Sequence, residues 1–217
     1  MVVTRRARLR EELTAEIIEI GRRQLADGGV SKVNWRAIAT EVGMNPASLY
    51  TYVDGINDLY TRILANSFRS LASACDAAAR AATNLDARSR VLGCARAYRA
   101  WAVARPNEFN LIFTDQIPGY VAPSEGESFQ AAMDVNAPFI DAVVEALTGR
   151  TGATSIDELS DDEQLVAYAL RSMMHGFTSL EINHHSPYAE GSDDLMITSL
   201  SLLLDDFFAR RHRRSRS

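Results

Sequence analysis

The stretch from Asn34 to Gly55 constrains this chain more than any other. Asn34 can cap a short helix over 35–42, and Gly43 suits the left-handed conformation that ends one. Only Met44 follows before Asn45-Pro46, an N-cap residue with proline at the first helical position, so a further helix is predicted from there. Asp54-Gly55 then breaks the chain. Two short helices around a glycine turn are the footprint of a helix-turn-helix. Ala37, Ile38, Val42 and Leu49 fall at inward spacings, and Ala39 is small enough for the helices to cross closely.

The flanking sequence is helical as well. Leu9, Leu13, Ile17, Ile20 and Leu25 recur at helical spacing until Asp27-Gly28-Gly29, giving a first helix. A long fourth helix begins after Gly55, with Leu59, Ile63 and Ser67 or Phe68 on one face. Further helices are predicted over 86–105, 107–114, 128–147, 161–184 and 193–209, with a loop over 115–127 and a capping box at Ser160 to Glu163. No alternating strand pattern occurs, and composition agrees: 12 Gly and 6 Pro in 217 residues against 31 Ala, the best helix former. The expectation is an all-α chain in which an N-terminal three-helix unit (1–53) is joined by helix four to a larger helical domain (54–217).

Charge is unevenly spread. The net charge of -5 divides into +2 over 1–52, -12 over 53–209 and +5 over 210–217. Arg5, Arg6, Arg8 and Arg10 precede any acid, and such an arm suits a polyanion, although a solvated terminus reads the same way. A helix whose first turn is exposed can enter the major groove. Here Asn45, Pro46, Ala47 and Ser48 are small enough for thymine methyl contacts and base-edge hydrogen bonds, and Thr51 lies one turn on. Tyr50, Tyr52, Trp35 and Arg36 can donate to phosphates, which sets register without reading sequence. The competing interpretation is a protein-docking unit whose tyrosines pack inward.

Residues 9–64 resemble the DNA-binding domain of the TetR family of bacterial transcriptional regulators. The likeness runs from the helix-one segment EIIEIGRRQLADGG through Arg36-Ala37-Ile38-Ala39 to Leu49-Tyr50-Thr51-Tyr52-Val53, the most specific piece. It implies that Pro46, Ala47 and Ser48 meet bases and that Tyr50 and Tyr52 bind phosphates. One departure is Ile56, where the family usually carries a phosphate-binding lysine. The helix-four N-terminus or the arginine arm is the expected substitute. Further on, YRAWAVARPNEFNLIF (98–113) and MHGFTSLE (174–181) resemble a TetR effector domain of the Trp-His-Gly subgroup, without the tryptophan beside His175. That implies a small-molecule pocket whose occupant releases DNA.

Within the 161–184 helix, Tyr168, Arg171, His175 and Thr178 form one polar stripe at spacings of three or four. Arg171 and His175 are the expected polar anchors of an effector pocket walled by Trp101, Phe109, Phe113, Met133, Phe139 and Met173, the alternative being a solvated stripe over an aromatic core. The last helix is apolar all round, with Leu195, Met196, Ile197, Leu200, Leu202, Leu203, Leu204, Phe207 and Phe208, so a second copy is expected to cover part of it, deep burial in a monomer being the alternative.

The expected partners are therefore a double-stranded, roughly palindromic DNA operator, a small-molecule effector and a second copy of the chain. No cofactor and no membrane are expected, and the compartment expected is the cytoplasm. Cys75 and Cys94 lack metal spacing, no apolar leader follows Met1, and the best apolar run, 195–204, is too short to span a bilayer. Among enzymes, Glu181 with His184 and His185 offers half of a di-iron pattern with no second half, and no nucleotide-binding or serine-hydrolase motif occurs. A helical adaptor that binds only protein is the other rival, and the basic front end argues against it.

Overall fold

The computed structural model describes residues 4–82, 86–115, 117–135, 137–150, 159–185 and 192–214, the side chains of 192 and 211–214 excepted. Among these residues there is no strand. The α-helices are α1 (Arg5–Gly28), α2 (Trp35–Val42), α3 (Gly55–Ala81), α4 (Ala87–Ala104), α5 (Pro106–Phe113), α6 (Glu127–Asp134), α7 (Ala137–Thr148), α8 (Asp161–Ile182) and α9 (Ser192–Arg214). They pack as two compact units. The first takes in Met1–Arg69 and Arg105–Ala132, the second Ser70–Ala104 and Met133–Ser217.

In the first unit, Ile17, Ile20 and Leu25 of α1 meet Ile38 and Ala39 of α2, Leu49, Val53, and Leu59 and Ile63 of α3, with Leu111 of α5 closing the cluster. Each such Val, Leu or Ile side chain taken from water contributes about 1.5–3 kcal/mol. Gly21 lets α1 approach α3, since a Cβ there would lie 3.2 Å from side-chain atoms of Leu59 and Ile63. The ends of α2 match the sequence reading. Asn34 Oδ1 accepts from the N–H groups of Arg36 (3.0 Å) and Ala37 (3.1 Å), and Gly43 closes the helix at φ 75°.

In the second unit α4 packs against α7, α8 and α9, and α8 packs against α9. It buries Val91, Cys94, Ala95, Tyr98, Trp101 and Ala102. Arg99 reaches from α4 to Glu181 of α8 with two short bonds, 2.7 and 2.5 Å.

Several elements differ from expectation. The helix predicted from Asn45 is instead a turn followed by a 3-10 segment, Ser48–Thr51. Asn45 Oδ1 accepts from Ala47 N–H (2.9 Å) and Asn45 C=O from Ser48 N–H (2.8 Å), so the chain starts with tight i to i+3 bonds. Asp54-Gly55 stops it before an α-helix can propagate. The single helix predicted over 128–147 is two, α6 and α7. Pro138, in the first turn of α7, has no N–H to give and restricts Ala137 before it. The arginine arm is itself helical: Thr4 Oγ1 accepts from Ala7 N–H (3.3 Å) and α1 begins at Arg5. At the other end α9 extends through Arg214, past the predicted stop at 209.

Candidate nucleic-acid interface and effector cavity

Asn45, Ala47, Ser48, Tyr50 and Thr51 are all exposed, Tyr50 at 61 %, while Leu49 beneath them is fully buried. One anchor thus holds a surface of small polar and aromatic groups. Trp35 braces it from α2. Its indole N–H is donated to Pro46 C=O (3.3 Å), and its ring packs 5.2 Å from that of Tyr50. The indole N–H is thus engaged within the unit. Arg36 beside it is exposed, and Pro46 and Tyr52 are half-buried.

The arginine arm reaches the same surface, since Arg10 Nη2 donates to Thr51 C=O (2.8 Å). Arg5, Arg6 and Arg8 are exposed. Their charges sit in the first turns of a helix, where the dipole disfavours cations, so an anion placed there would be welcome. By contrast, the start of α3 is already occupied by its own acid. Asp58 Oδ2 accepts from Asp54 N–H (2.8 Å) and is held by Arg62 (3.0 Å). Ile56 packs on the core. Asp58 thus places a negative charge at the start of α3.

The first unit also holds a buried ionic knot that the sequence reading missed. Glu108 of α5 is 3 % exposed and accepts from Arg22 of α1 (2.8 Å) and from Ser67 of α3 (2.9 Å). Arg22 also clasps Glu19 (2.6 and 2.7 Å). Those bonds raise the Arg22 pKa, and Arg22 in turn lowers that of Glu19. Asn107 adds a bond from its Nδ2 to Ala26 C=O (2.8 Å). In this way α5 is tied to α1 by polar bonds as well as by Leu111.

The predicted effector residues separate between the units. Phe109 and Phe113 belong to the first, with tilted rings 4.9 Å apart, and Phe113 lies edge-on to Phe68 at 6.1 Å. Phe68 lines a cavity of about 780 Å³, whose other walls include Leu64, Leu111, Ile112, Tyr120 and Phe129. Trp101, Met133, Phe139, Tyr168, Arg171, Met173 and His175 belong to the second unit. There Trp101 donates to Ser70 Oγ (3.0 Å), and Phe139 is buried. Met133, expected as a wall, is instead 59 % exposed. The polar stripe is split by depth: Tyr168 and Arg171 are exposed, His175 half-buried, and Thr178 buried with its hydroxyl on Met174 C=O (2.8 Å).

His175 Nδ1 lies 2.8 Å from the hydroxyl of Tyr98, a buried partner the sequence reading did not single out. Burial, helped by the charge of Arg171, lowers the His175 pKa, and burial raises that of Tyr98. Cys75 and Cys94 are side by side and buried, and burial pushes their thiols up to about 12 and about 11, far from reactive thiolates. Glu181, the carboxylate of the half di-iron pattern, is held by Arg99. Among the described residues no cluster of metal-ligating side chains occurs, and no helix is long and apolar enough to cross a membrane.

Residues 91–205 match the family model described as Tetracyclin repressor-like, C-terminal domain. The chain is 34 % identical over 202 residues to the HTH-type transcriptional regulator Rv1816 of Mycobacterium tuberculosis, covering 93 % of this chain and 80 % of that protein. A counterpart in Mycobacterium bovis, Mb1846, gives the same figures. Among solved structures, the regulatory protein SCO4313 superposes with a TM-score of 0.72 at 30 % identity, covering 95 % of this chain and 100 % of that one. The TetR family regulator PfmR of Thermus thermophilus shares the fold at a TM-score of 0.60 and 14 % identity, over 87 % of this chain and 97 % of its own. The chain belongs to the TetR family. It is a DNA-binding transcriptional regulator of the helix-turn-helix type.

Proposed function

We propose that the protein is a homodimeric repressor whose two reading heads bind a roughly palindromic operator and let go when a small molecule binds. The observation that carries the reading is the exposed turn Asn45–Thr51, held on Leu49 and braced by Trp35. In this reading Asn45, Pro46, Ala47, Ser48 and Thr51 meet base edges, and Arg36, Tyr50 and Tyr52 position the head on phosphates. Residues 1–53 then act as the head and 54–217 as the regulatory part, a division by role rather than by packing. The compartment that goes with this work is the cytoplasm, and no catalytic step belongs to it.

A single head of this size covers too little DNA for useful specificity, which calls for two. Support for the dimer comes from α8 and α9. Leu165 and Leu180 on α8, and Leu195 and Leu202 on α9, are exposed large side chains, Leu165 at 70 % and Leu202 at 64 %. Two such helices from each copy make a four-helix interface with two-fold symmetry. The effector residues within the second unit are Trp101, Phe139, Met173 and His175 with Tyr168 and Arg171; within the first, Phe109 and Phe113 pack behind Phe68 of the cavity wall rather than lining it. Met133 is exposed on its own copy, so its contribution would have to come from the dimer. Moving an operator from mostly bound to mostly free needs about 5.5 kcal/mol of differential binding.

Selection of bound DNA from a random pool tests the reading directly. A two-fold symmetric motif with half-sites one helical turn apart, or a multiple, is expected. Enrichment of an asymmetric single half-site would defeat the paired-head claim.

A further inference from the structure

We propose that the cavity of the first unit binds an organic cation with an apolar body. The proposal rests on the effector reading only for its consequence at the operator, and the site can be tested without it.

The cavity is bounded by the Leu64–Phe68 turn of α3, the end of α5, the segment 117–123 and the start of α6, and its volume of about 780 Å³ is in the range of small-molecule sites. Its covering segment is fastened down. The Tyr120 hydroxyl lies 2.9 Å from Thr61 Oγ1, the Tyr120 ring packs 6.2 Å from that of Tyr60, and Tyr120 N–H bonds Ile117 C=O (3.1 Å).

The lining chemistry selects by charge. Among the described residues of the wall, Asp115 is the one carboxylate, no Lys, Arg or His joins it, and its backbone N–H is donated to Asn110 C=O (2.7 Å). Three aromatic rings, Phe68, Tyr120 and Phe129, complete the wall. A carboxylate or phosphate entering here would shed its water against apolar groups and meet Asp115, with no cation on the described wall to receive it. An ammonium or similar cation instead meets a carboxylate and aromatic faces, while its apolar body fills the space beside Leu64, Leu111 and Ile112. The acidic character of the 53–209 segment adds a long-range attraction of the same sign.

Occupancy has a route to the head within the same unit. Leu111 and Ile112 follow Glu108 by one turn of α5, and Glu108 is bonded to Arg22 of α1 and Ser67 of α3. A ligand that shifts the end of α5 therefore acts on the knot that holds α1.

Calorimetric titration of the full-length protein with three probes of one skeleton, 4-phenylbutyl-trimethylammonium, 4-phenylbutanol and 4-phenylbutyrate, tests the site. The ammonium is expected to bind about tenfold more tightly than the carboxylate, with the alcohol between. Asp115→Asn, at an exposed position, should cut the ammonium-over-alcohol preference by about threefold and leave the alcohol unchanged. Ala132→Trp fills the space and should abolish all three, with Ala132→Leu as the milder form should the tryptophan variant fail to fold. Failure of every probe to bind, carboxylate binding as tight as ammonium, an unchanged preference in Asp115→Asn, or unchanged binding in a folded Ala132 variant would each overturn the proposal. A parallel titration of operator binding keeps the two ideas apart. Ammonium binding in the expected order without release of DNA upholds the site and separates it from the effector reading, whereas release of DNA by the ammonium that persists unchanged in a folded Ala132→Trp overturns this cavity as its site and keeps that reading.

Discussion

Two exposed surfaces of this chain differ in chemistry although both lie open to water. The turn Asn45–Thr51 shows small polar residues and one tyrosine over a buried leucine, whereas α8 and α9 show leucines. Water already satisfies the first surface, so it can exchange hydration for base edges and phosphates one group at a time. The second gains only by losing water over a broad area, which a flat apolar partner provides. Exposure alone does not say what a surface is for. The residues held behind it do.

The largest effect should come from breaking the apolar surface. Leu165→Asp combined with Leu202→Asp is expected to give monomers by sedimentation and to weaken operator binding about a hundredfold or more, because paired heads no longer act together. A dimer unchanged by both charges would remove this face from the interface. Next is the knot. Glu108→Ala leaves Arg22 without its buried partner and should destabilise the fold by about 2–3 kcal/mol in urea denaturation, discounted because Arg22 is 32 % exposed and keeps Glu19. An unaltered midpoint would show that the pair contributes nothing net.

On the polar surface, Tyr50→Ala removes the hydroxyl proposed to meet a phosphate and the ring on Trp35. It should weaken operator binding about tenfold with no change in helical content, and Tyr50→Phe should recover the share due to the ring. Replacing Arg5, Arg6, Arg8 and Arg10 by Ala should lower the slope of log affinity against log salt by about one for each arginine that neutralises a phosphate. An unchanged slope takes the arm off the DNA.

The smallest expected effect is one of pH. In the fold His175 has its pKa lowered from the ordinary 6.5 by burial first and by Arg171 second. The unfolded chain thus takes up this proton before the folded one does. The stability linked to it is complete above pH 6.5 and is lost as pH falls from there toward the lowered folded value. His175→Asn should flatten that part of the melting-temperature curve, and identical curves would assign the pH dependence to other groups.

How far the sequence could be read differed from element to element for physical reasons. The α2 helix was legible to the residue because both its ends are set by local chemistry, an asparagine cap and a left-handed glycine. The 3-10 turn after it was not, since proline after asparagine signals a start but says nothing of whether enough residues follow to propagate a helix. The break between α6 and α7 hides in a run that is periodic on both sides. For the candidate site, the exposure of Asn45, Ala47 and Ser48 over a buried Leu49 was legible from spacing. Glu108 was invisible because a glutamate in a helix reads as solvated until a distant arginine is placed beside it. The cavity was hidden likewise, for its walls come from helix ends and a loop that share no period.

The ionic knot also bears on how this regulator can be taken apart. Because α5 supplies Leu111 and Glu108 to the packing of α1, a fragment stopping at residue 69 would expose a hydrophobic gap and take Glu108 from Arg22, leaving it Glu19. The head is therefore no transplantable cassette. Domain grafting onto another regulator has to carry residues 105–132 along with it, or supply an equivalent helix.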